Sequence, residues 1–337
     1  MKRFGFAVMV FFWVLFSFGI SSAKATPVFV APEGYRSDLY FSHSGLIQSF
    51  DFDSDDNLYI YRDNRYITKY NGTETVLYDY GNADNWGSFL TVYDDMVYFG
   101  ESANGTVKSI STLGGTADDL FTLAYNYDIA FDNAGNAFLS AMSGTGNAVY
   151  YWDGSDIDLI AETGGYSGPL TFDKDDNLFY GFPDYDNGKV VYFSVSQVDS
   201  AVATHNLGTA ELNSADWTEY ITGLDACSAL VFDDDADGQD LFSSSYQGTV
   251  TNIYAQGLAQ SFGAADSPSF MRFIQGTGNF EAYAGADSGE LYVLATDWNS
   301  MESAIYKVTA IPEPATLVLL GSGLMGLFFR RKRMCVK

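Results

Sequence analysis

The sequence predicts an all-β propeller of six four-stranded blades, and three observations carry the prediction. The first is a recurring unit: an apolar strand ending in an aromatic residue, an acidic turn, Asn or a neighbour, then a second aromatic strand. Its clearest copies are Phe52-Asp53-Ser54-Asp55-Asp56-Asn57-Leu58-Tyr59, Phe131-Asp132-Asn133-Ala134-Gly135-Asn136-Ala137-Phe138 and Phe172-Asp173-Lys174-Asp175-Asp176-Asn177-Leu178-Phe179. Weaker copies run from Val92 to Tyr98, Phe232 to Phe242 and Phe273 to Phe280. The second is the spacing. With Asn57, Met96, Asn136, Asn177, Asp240 and Asn279 as markers, the steps are 39, 40, 41, 63 and 39 residues. The third is what fills each step, namely two more short strands around a tight-turn signal. Arg65 to Tyr70 and Thr73 to Tyr80 flank Asn71-Gly72, and Ala148 to Trp152 and Ile157 to Ala161 flank Asp153-Gly154-Ser155.

Four strands in roughly 40 residues, repeated radially, is the pattern of a propeller. A β-sandwich does not predict this period, and β-helix coils are shorter. The long step contains residues 197–217, a less strand-like stretch read as an insertion in the fourth blade. Gly34 to Phe41 reads as one extra strand. It either completes the last blade beside Ala304 to Ala310 or belongs to a seventh, irregular blade; six is the preferred count. The Phe-Asp…Asn-Leu-Tyr turns resemble those of NHL-type six-bladed propellers, a likeness that implies fold and not chemistry.

The ends of the chain carry different signals. Lys2 and Arg3 precede an uncharged run from Phe4 to Ile20, and Ala23 and Ala25 place small residues at a cleavage site after it. Residues 1–25 therefore read as a secretory signal peptide cleaved after Ala25. At the other end, Pro312-Glu313-Pro314 denies the backbone a regular helix. Residues 315–329 follow as an apolar segment, short for a span that needs about 20 residues and weakened by Gly321, Gly323 and Gly326. Arg330, Arg331, Lys332 and Arg333 then form a basic stop. Basic clusters prefer the cytoplasmic side, so both ends point inward and the body lies outside the inner membrane.

This three-part tail, residues 311–337, resembles the PEP-CTERM sorting signal of Gram-negative bacteria, also labelled an ice-binding-protein C-terminal domain. The resemblance implies recognition of the tail by an exosortase, a membrane cysteine protease or transpeptidase. It also implies transient anchoring, then a place at the cell surface or in the matrix, in the company of exopolysaccharide and biofilm production.

Between these ends lies a body of residues 26–310. The whole chain has 17 basic and 43 acidic residues; without the eight basic and one acidic residue of the two ends the body holds nine and 42, a net charge of −33. Such a charge repels nucleic acid and anionic membrane surfaces and favours cations and neutral or cationic polymers. Cys335 lies in the tail, so the body has a single cysteine, Cys227, and no internal disulfide. Cys227 enters an expected strand, where a cysteine behaves as a small apolar residue.

Candidate sites are few. Asp233, Asp235, Asp237 and Asp240, with Gly238 permitting a sharp turn, suit the hard oxygen coordination of Ca²⁺, but Ser244 stands where an EF-hand has its bidentate Glu. A solvated acidic turn is the competing reading. Asp51, Asp53, Asp55 and Asp56 form a weaker cluster; there and at Asp173 to Asp176 turn chemistry alone accounts for Asp and Asn. His43 and His205 are the only histidines, neither in a metal or triad arrangement. No phosphate-binding glycine loop or nucleophile elbow is found. Trp86, Trp217 and Trp298 fall in expected loops, free to stack on sugar rings. The expected function is an exported binding or structural module whose partner is extracellular polysaccharide or another matrix protein. The alternative is a calcium-dependent hydrolase of the lactonase or esterase type, with its site in the central channel.

Overall fold

A computed structural model describes residues 26–311 apart from 85, 103, 144–145, 186–187, 206–208, 233–240, 255–257, 266–268 and 278–289. The signal peptide with Ala23 and Ala25, the acidic loop of Asp233 to Asp240, and the tail with Pro312, Glu313, Pro314 and Arg330 to Arg333 lie outside the described residues. No helix among the described residues is long and apolar enough to cross a membrane.

Six antiparallel sheets are arranged radially, each with one innermost strand beside the channel. Blade one is β3 (Ile47–Phe52), β4 (Leu58–Arg62), β5 (Tyr66–Tyr70) and β6 (Glu74–Asp79). Blade two is β7 (Gly87–Tyr93), β8 (Met96–Glu101), β9 (Thr106–Ser111) and β10 (Asp118–Thr122). Blade three is β11 (Asp128–Phe131), β12 (Ala137–Ser143), β13 (Gly146–Trp152) and β14 (Ile157–Glu162). Blade four is β15 (Leu170–Phe172), β16 (Leu178–Gly181), β17 (Gly188–Phe193) and β18 (Thr218–Leu224). Blade five is β19 (Cys227–Phe232), β20 (Leu241–Ser245), β21 (Thr249–Tyr254) and β22 (Leu258–Ala265). Blade six is β23 (Ser269–Thr277), β24 (Glu290–Asp297) and β25 (Glu302–Ala310), completed on its outside by β2 (Tyr35–His43) from the other end of the chain.

The extra N-terminal strand therefore closes the ring at six blades, pairing Tyr35 with Ala310 and His43 with Ser303. A still earlier strand, β1 (Phe29–Val30), adds a fifth strand to blade five opposite Ala264 and Ala265. Sequence reasoning did not anticipate it, because two residues are too short for any periodicity. The long interval in blade four holds helix α1 (Val195–Thr204) between β17 and β18. The carboxamide oxygen of Asn177 accepts the Val195 amide at 2.9 Å, so a repeat turn supplies a partner for one of the unsatisfied helix-start donors. Val198 and Ala201 of α1 join Leu212 and the half-buried Trp217 against Ile160, Ala161 and Phe193, which ties blade four to blade three.

The repeated turn has one design. In the three strong copies the first Asp accepts hydrogen bonds from the amide two residues on, the amide four residues on and the Asn side chain. Asp53 does so from Asp55 and Asn57, Asp132 from Ala134 and Asn136, and Asp173 from Asp175 and Asn177, at 2.7–3.0 Å. The residue before each Asn is left-handed: Asp56 at φ 61°, Gly135 at 86° and Asp176 at 60°. Gly, Asn and Asp are the residues that enter this region at least cost. The weak copy in blade two is a shorter turn with two left-handed residues, Asp94 and Asp95, the backbone of a two-residue hairpin.

Two further carboxyls tie blades together at the channel. The channel-facing edge of each innermost strand lacks a neighbouring strand, so its amides need partners from elsewhere. Asp51 of β3 accepts the Val92 amide of blade two at 2.7 Å, and Asp128 of β11 accepts the Leu170 amide of blade four at 3.0 Å. Burial pushes both carboxyls up to about 7 despite these hydrogen bonds.

Two outcomes follow. Asp132→Ala and Asp173→Ala each remove an acceptor shared by three donors and should cost about 1–2 kcal/mol in urea unfolding, whereas Asp55→Ala, at an exposed turn position, should stay within about 0.5 kcal/mol. The folded state also binds more protons than the unfolded chain between about pH 4 and 7, because Asp51 and Asp128 have raised values. Their contribution is therefore full below the unfolded carboxylate range and is lost as pH rises through about 7, by up to about 1.4 kcal/mol per pH unit for each group. Unfolding midpoints measured across that window should fall with rising pH, and Asp51→Asn with Asp128→Asn should flatten the slope.

Candidate functional site

The two faces of the ring differ. Turns between first and second strands, and between third and fourth, emerge on one side, the turn face. Second-to-third connections and the links between blades emerge on the other, the loop face.

On the turn face the channel opens into a cavity of about 520 Å³. Phe52, Tyr93, Phe131 and Phe172, the aromatic residues that end four innermost strands, line it together with Asp51 and Asp128 in its wall and Asp53 and Asp56 from a repeat turn. The rings are half-buried because they also pack between blades. Tyr93 stacks on Phe131 at 4.1 Å, Phe52 meets Tyr292 at 4.4 Å and Phe172 meets Phe138 at 5.0 Å. On the loop-face side of the channel, the Tyr127 hydroxyl reaches from blade three to blade five, donating to the Ser228 carbonyl at 2.7 Å and pairing with the Tyr246 hydroxyl.

The loop face holds every exposed aromatic residue among those described: Trp86, Tyr125, Tyr166 and Tyr185, with 61%, 58%, 73% and 61% of their surface accessible. The loops of Trp86, Tyr125 and Tyr166 are joined by hydrogen bonds. Ser102 donates its amide to the Trp86 carbonyl at 2.7 Å, Tyr125 donates to the Ser102 carbonyl at 3.2 Å, and the Ser167 hydroxyl donates to the Tyr125 carbonyl at 3.1 Å. The buried Tyr180 hydroxyl holds the Tyr166 carbonyl at 3.0 Å. Tyr125 itself is left-handed at φ 52°, a conformation a bulky side chain keeps only where its surroundings impose it. Its ring is thus displayed on a strained backbone fixed at both amide and carbonyl.

Of the tryptophans singled out from the sequence, Trp86 lies in this arc and Trp298 sits half-buried in the loop-face turn between β24 and β25. Trp217 is elsewhere, packed edge-on against Phe182 and Phe193 with the Lys189 ammonium over its ring. Tyr125, Tyr166 and Tyr185 escaped sequence reasoning. Their signal was present: each is a tyrosine in a Gly, Ser, Asn or Asp-rich link where no strand face needs it, as in Gly164-Gly165-Tyr166-Ser167-Gly168.

Other candidates resolve into structural roles. Cys227 is fully buried and its thiol is pushed up to about 11 by that burial, a poor nucleophile. His43 pairs with Asp63 at 2.9 Å, and His205, just past α1, pairs with the buried Asp158 at 2.9 Å, pinning the insertion to blade three. The carboxylates of Asp53, Asp132 and Asp173 are committed to their own turns. No three His, Cys, Asp or Glu side chains converge to hold a metal ion among the described residues.

The architecture matches solved propellers at low identity. Virginiamycin B lyase from Staphylococcus aureus, in a catalytically inactive form with Quinupristin, superposes with a TM-score of 0.55 at 13% identity over 82% of this chain and 99% of that one. A putative gluconolactonase gives 0.59 at 11% over 83% and 94%. The PQQ-bound aldose sugar dehydrogenase of Streptomyces coelicolor gives 0.58 at 12% over 84% and 100%. At these identities the likeness is one of fold. No curated protein matches the chain in sequence. Residues 310–333 match the PEP-CTERM protein-sorting motif. The chain is therefore a six-bladed β-propeller with a PEP-CTERM sorting motif, an exported exosortase substrate held transiently in the membrane by its tail before release to the cell surface.

Proposed function

We propose that the body is an extracellular binding module whose partner is a neutral or cationic polysaccharide of the cell surface or matrix, engaged at the loop face. The observation that carries this reading is the gathering of Trp86, Tyr125, Tyr166 and Tyr185 on one face, the loops of the first three tied together by hydrogen bonds. Aromatic rings present broad apolar faces at low conformational cost, which suits the C–H faces of sugar rings. Spread over successive blades, they fit an extended chain of sugars better than a single one. The strong negative charge of the body turns away acidic polymers.

In this reading calcium, held by Asp233, Asp235, Asp237 and Asp240, supports the fold and takes no part in sugar contact. The alternative, a calcium-dependent hydrolase of the lactonase or esterase type, draws on Asp51 and Asp128, two carboxyls of raised pKa facing one channel, a combination that marks catalytic sites as well as structural ones. Each is already engaged by backbone amides of two strands, which favours the structural role.

The test is calorimetric titration of residues 26–311 with the producing cell's exopolysaccharide. Trp86→Ala and Tyr166→Ala should each weaken binding about fivefold or more, in line with about 1 kcal/mol per lost ring contact, with thermal unfolding unchanged. Unchanged binding in both variants would overturn the loop-face assignment. Calcium should bind wild type and not Asp235→Ala. If calcium binds and polysaccharide does not, lactone and ester substrates become the next probes, and binding of neither points to a protein partner.

A further inference from the structure

The turn-face cavity has a composition that the loop-face reading does not use. Among the described residues its walls come from five of the six blades, with half-buried aromatic rings from β3, β7, β11 and β15, Phe52, Tyr93, Phe131 and Phe172, and aliphatic side chains of β19. The ring pairs between neighbouring blades fix their orientation, so the walls are preformed. Four of the lining residues are aspartates, Asp51, Asp53, Asp56 and Asp128, and none of the lining residues is Lys, Arg or His. Lys69 lies 3.5 Å from Asp53 but stands outside the cavity, over the Tyr59 ring. At about 520 Å³ the space falls within the range of small-molecule sites.

This pairing of aromatic walls with carboxyls selects among ligands. An anion meets only like charge. A neutral apolar molecule would fill the walls but would bury the Asp51 and Asp128 carboxyls further and bring them no compensating charge. A hard metal ion needs six or more oxygen ligands and gains little from phenyl rings. A weakly hydrated organic cation satisfies both parts, because the negative faces of the rings attract it and the carboxyls supply its counter-charge.

We propose that the turn-face cavity is a binding site for a small organic cation of the alkylated-ammonium class, held by Phe52, Tyr93, Phe131 and Phe172 and neutralised by Asp51, Asp128 and Asp56. The site lies on the opposite face from the exposed tyrosines, so it stands whether or not the loop face binds polysaccharide.

The probes are choline and its uncharged isostere 3,3-dimethyl-1-butanol, titrated calorimetrically into the exported protein purified from the producing cells. Choline should bind saturably, one per chain, and at least tenfold more tightly than the isostere. Phe131→Leu should weaken choline about tenfold. Asp56→Asn, at an exposed left-handed position that Asn adopts readily, should weaken it about threefold without moving the unfolding transition, which keeps the test valid if the core variant folds poorly. Equal affinity for the isostere would reduce the site to an apolar cavity and overturn the proposal. So would the absence of saturable choline binding, or choline binding that Asp56→Asn and a folded Phe131→Leu leave unchanged.

Discussion

The whole ring depends on one ladder of hydrogen bonds, between β2 near the first residues of the propeller and β25 at its last. A propeller has no cap: each blade packs its two faces against its neighbours, and the blade that joins last to first must be built from both. Here eight residue pairs from Tyr35 with Ala310 to His43 with Ser303 make that join, and β2 covers an edge of β25 that would otherwise offer unpaired amides to any passing strand. The ladder also gathers the two ends. Ile311 donates its amide to the Gly34 carbonyl at 2.7 Å, so the body is pinned up to the residue before Pro312. The closed fold therefore extends to within one residue of Pro312 in the chain.

Closure would be empty without blade-to-blade packing, and the aromatic residues that end four of the innermost strands serve two purposes there. Phe52, Tyr93, Phe131 and Phe172 seal the wedge between neighbouring blades and also form the walls of the channel mouth. Full burial of a large ring is worth roughly 1.5–3 kcal/mol, and each of these half-buried rings contributes part of that to the wedge. The same geometry creates the edge problem that Asp51 and Asp128 solve, since an innermost strand beside an open channel has amides with no neighbouring strand. Channel electrostatics follow from structural need: carboxyls recruited to satisfy backbone donors end up buried, and burial raises their proton affinity.

The turn face and the loop face divide the labour. On the turn face the three strong copies of the repeat use the carboxylates of Asp53, Asp132 and Asp173 within the turns themselves, so their acidity is largely the by-product of turn chemistry. Loop-face connections differ from blade to blade. There the chain displays rings that no core position requires, on a backbone held in place by Ser102, Ser167 and Tyr180.

The blade period, the turn design and the sorting tail are legible in the sequence, because they depend on local rules: alternation along a strand, an Asp that caps its own turn, prolines before an apolar run. The same reading preferred six blades but left Gly34 to Phe41 either beside Ala304 to Ala310 or in a seventh blade, and the pairing of β2 with β25 decides for the first. What only the tertiary structure decided is which side chains share a face or a channel. Asp51 and Asp128 lie 77 positions apart yet line one cavity, and Tyr127 meets Ser228 and Tyr246 across it. Trp86 and Trp217 are alike in sequence, each a tryptophan beside an expected strand, but one is displayed in an arc with three tyrosines and the other is packed beneath an inserted helix. Radial repetition brings distant residues together through the closure of the ring, and no local pattern records which way round each connection faces.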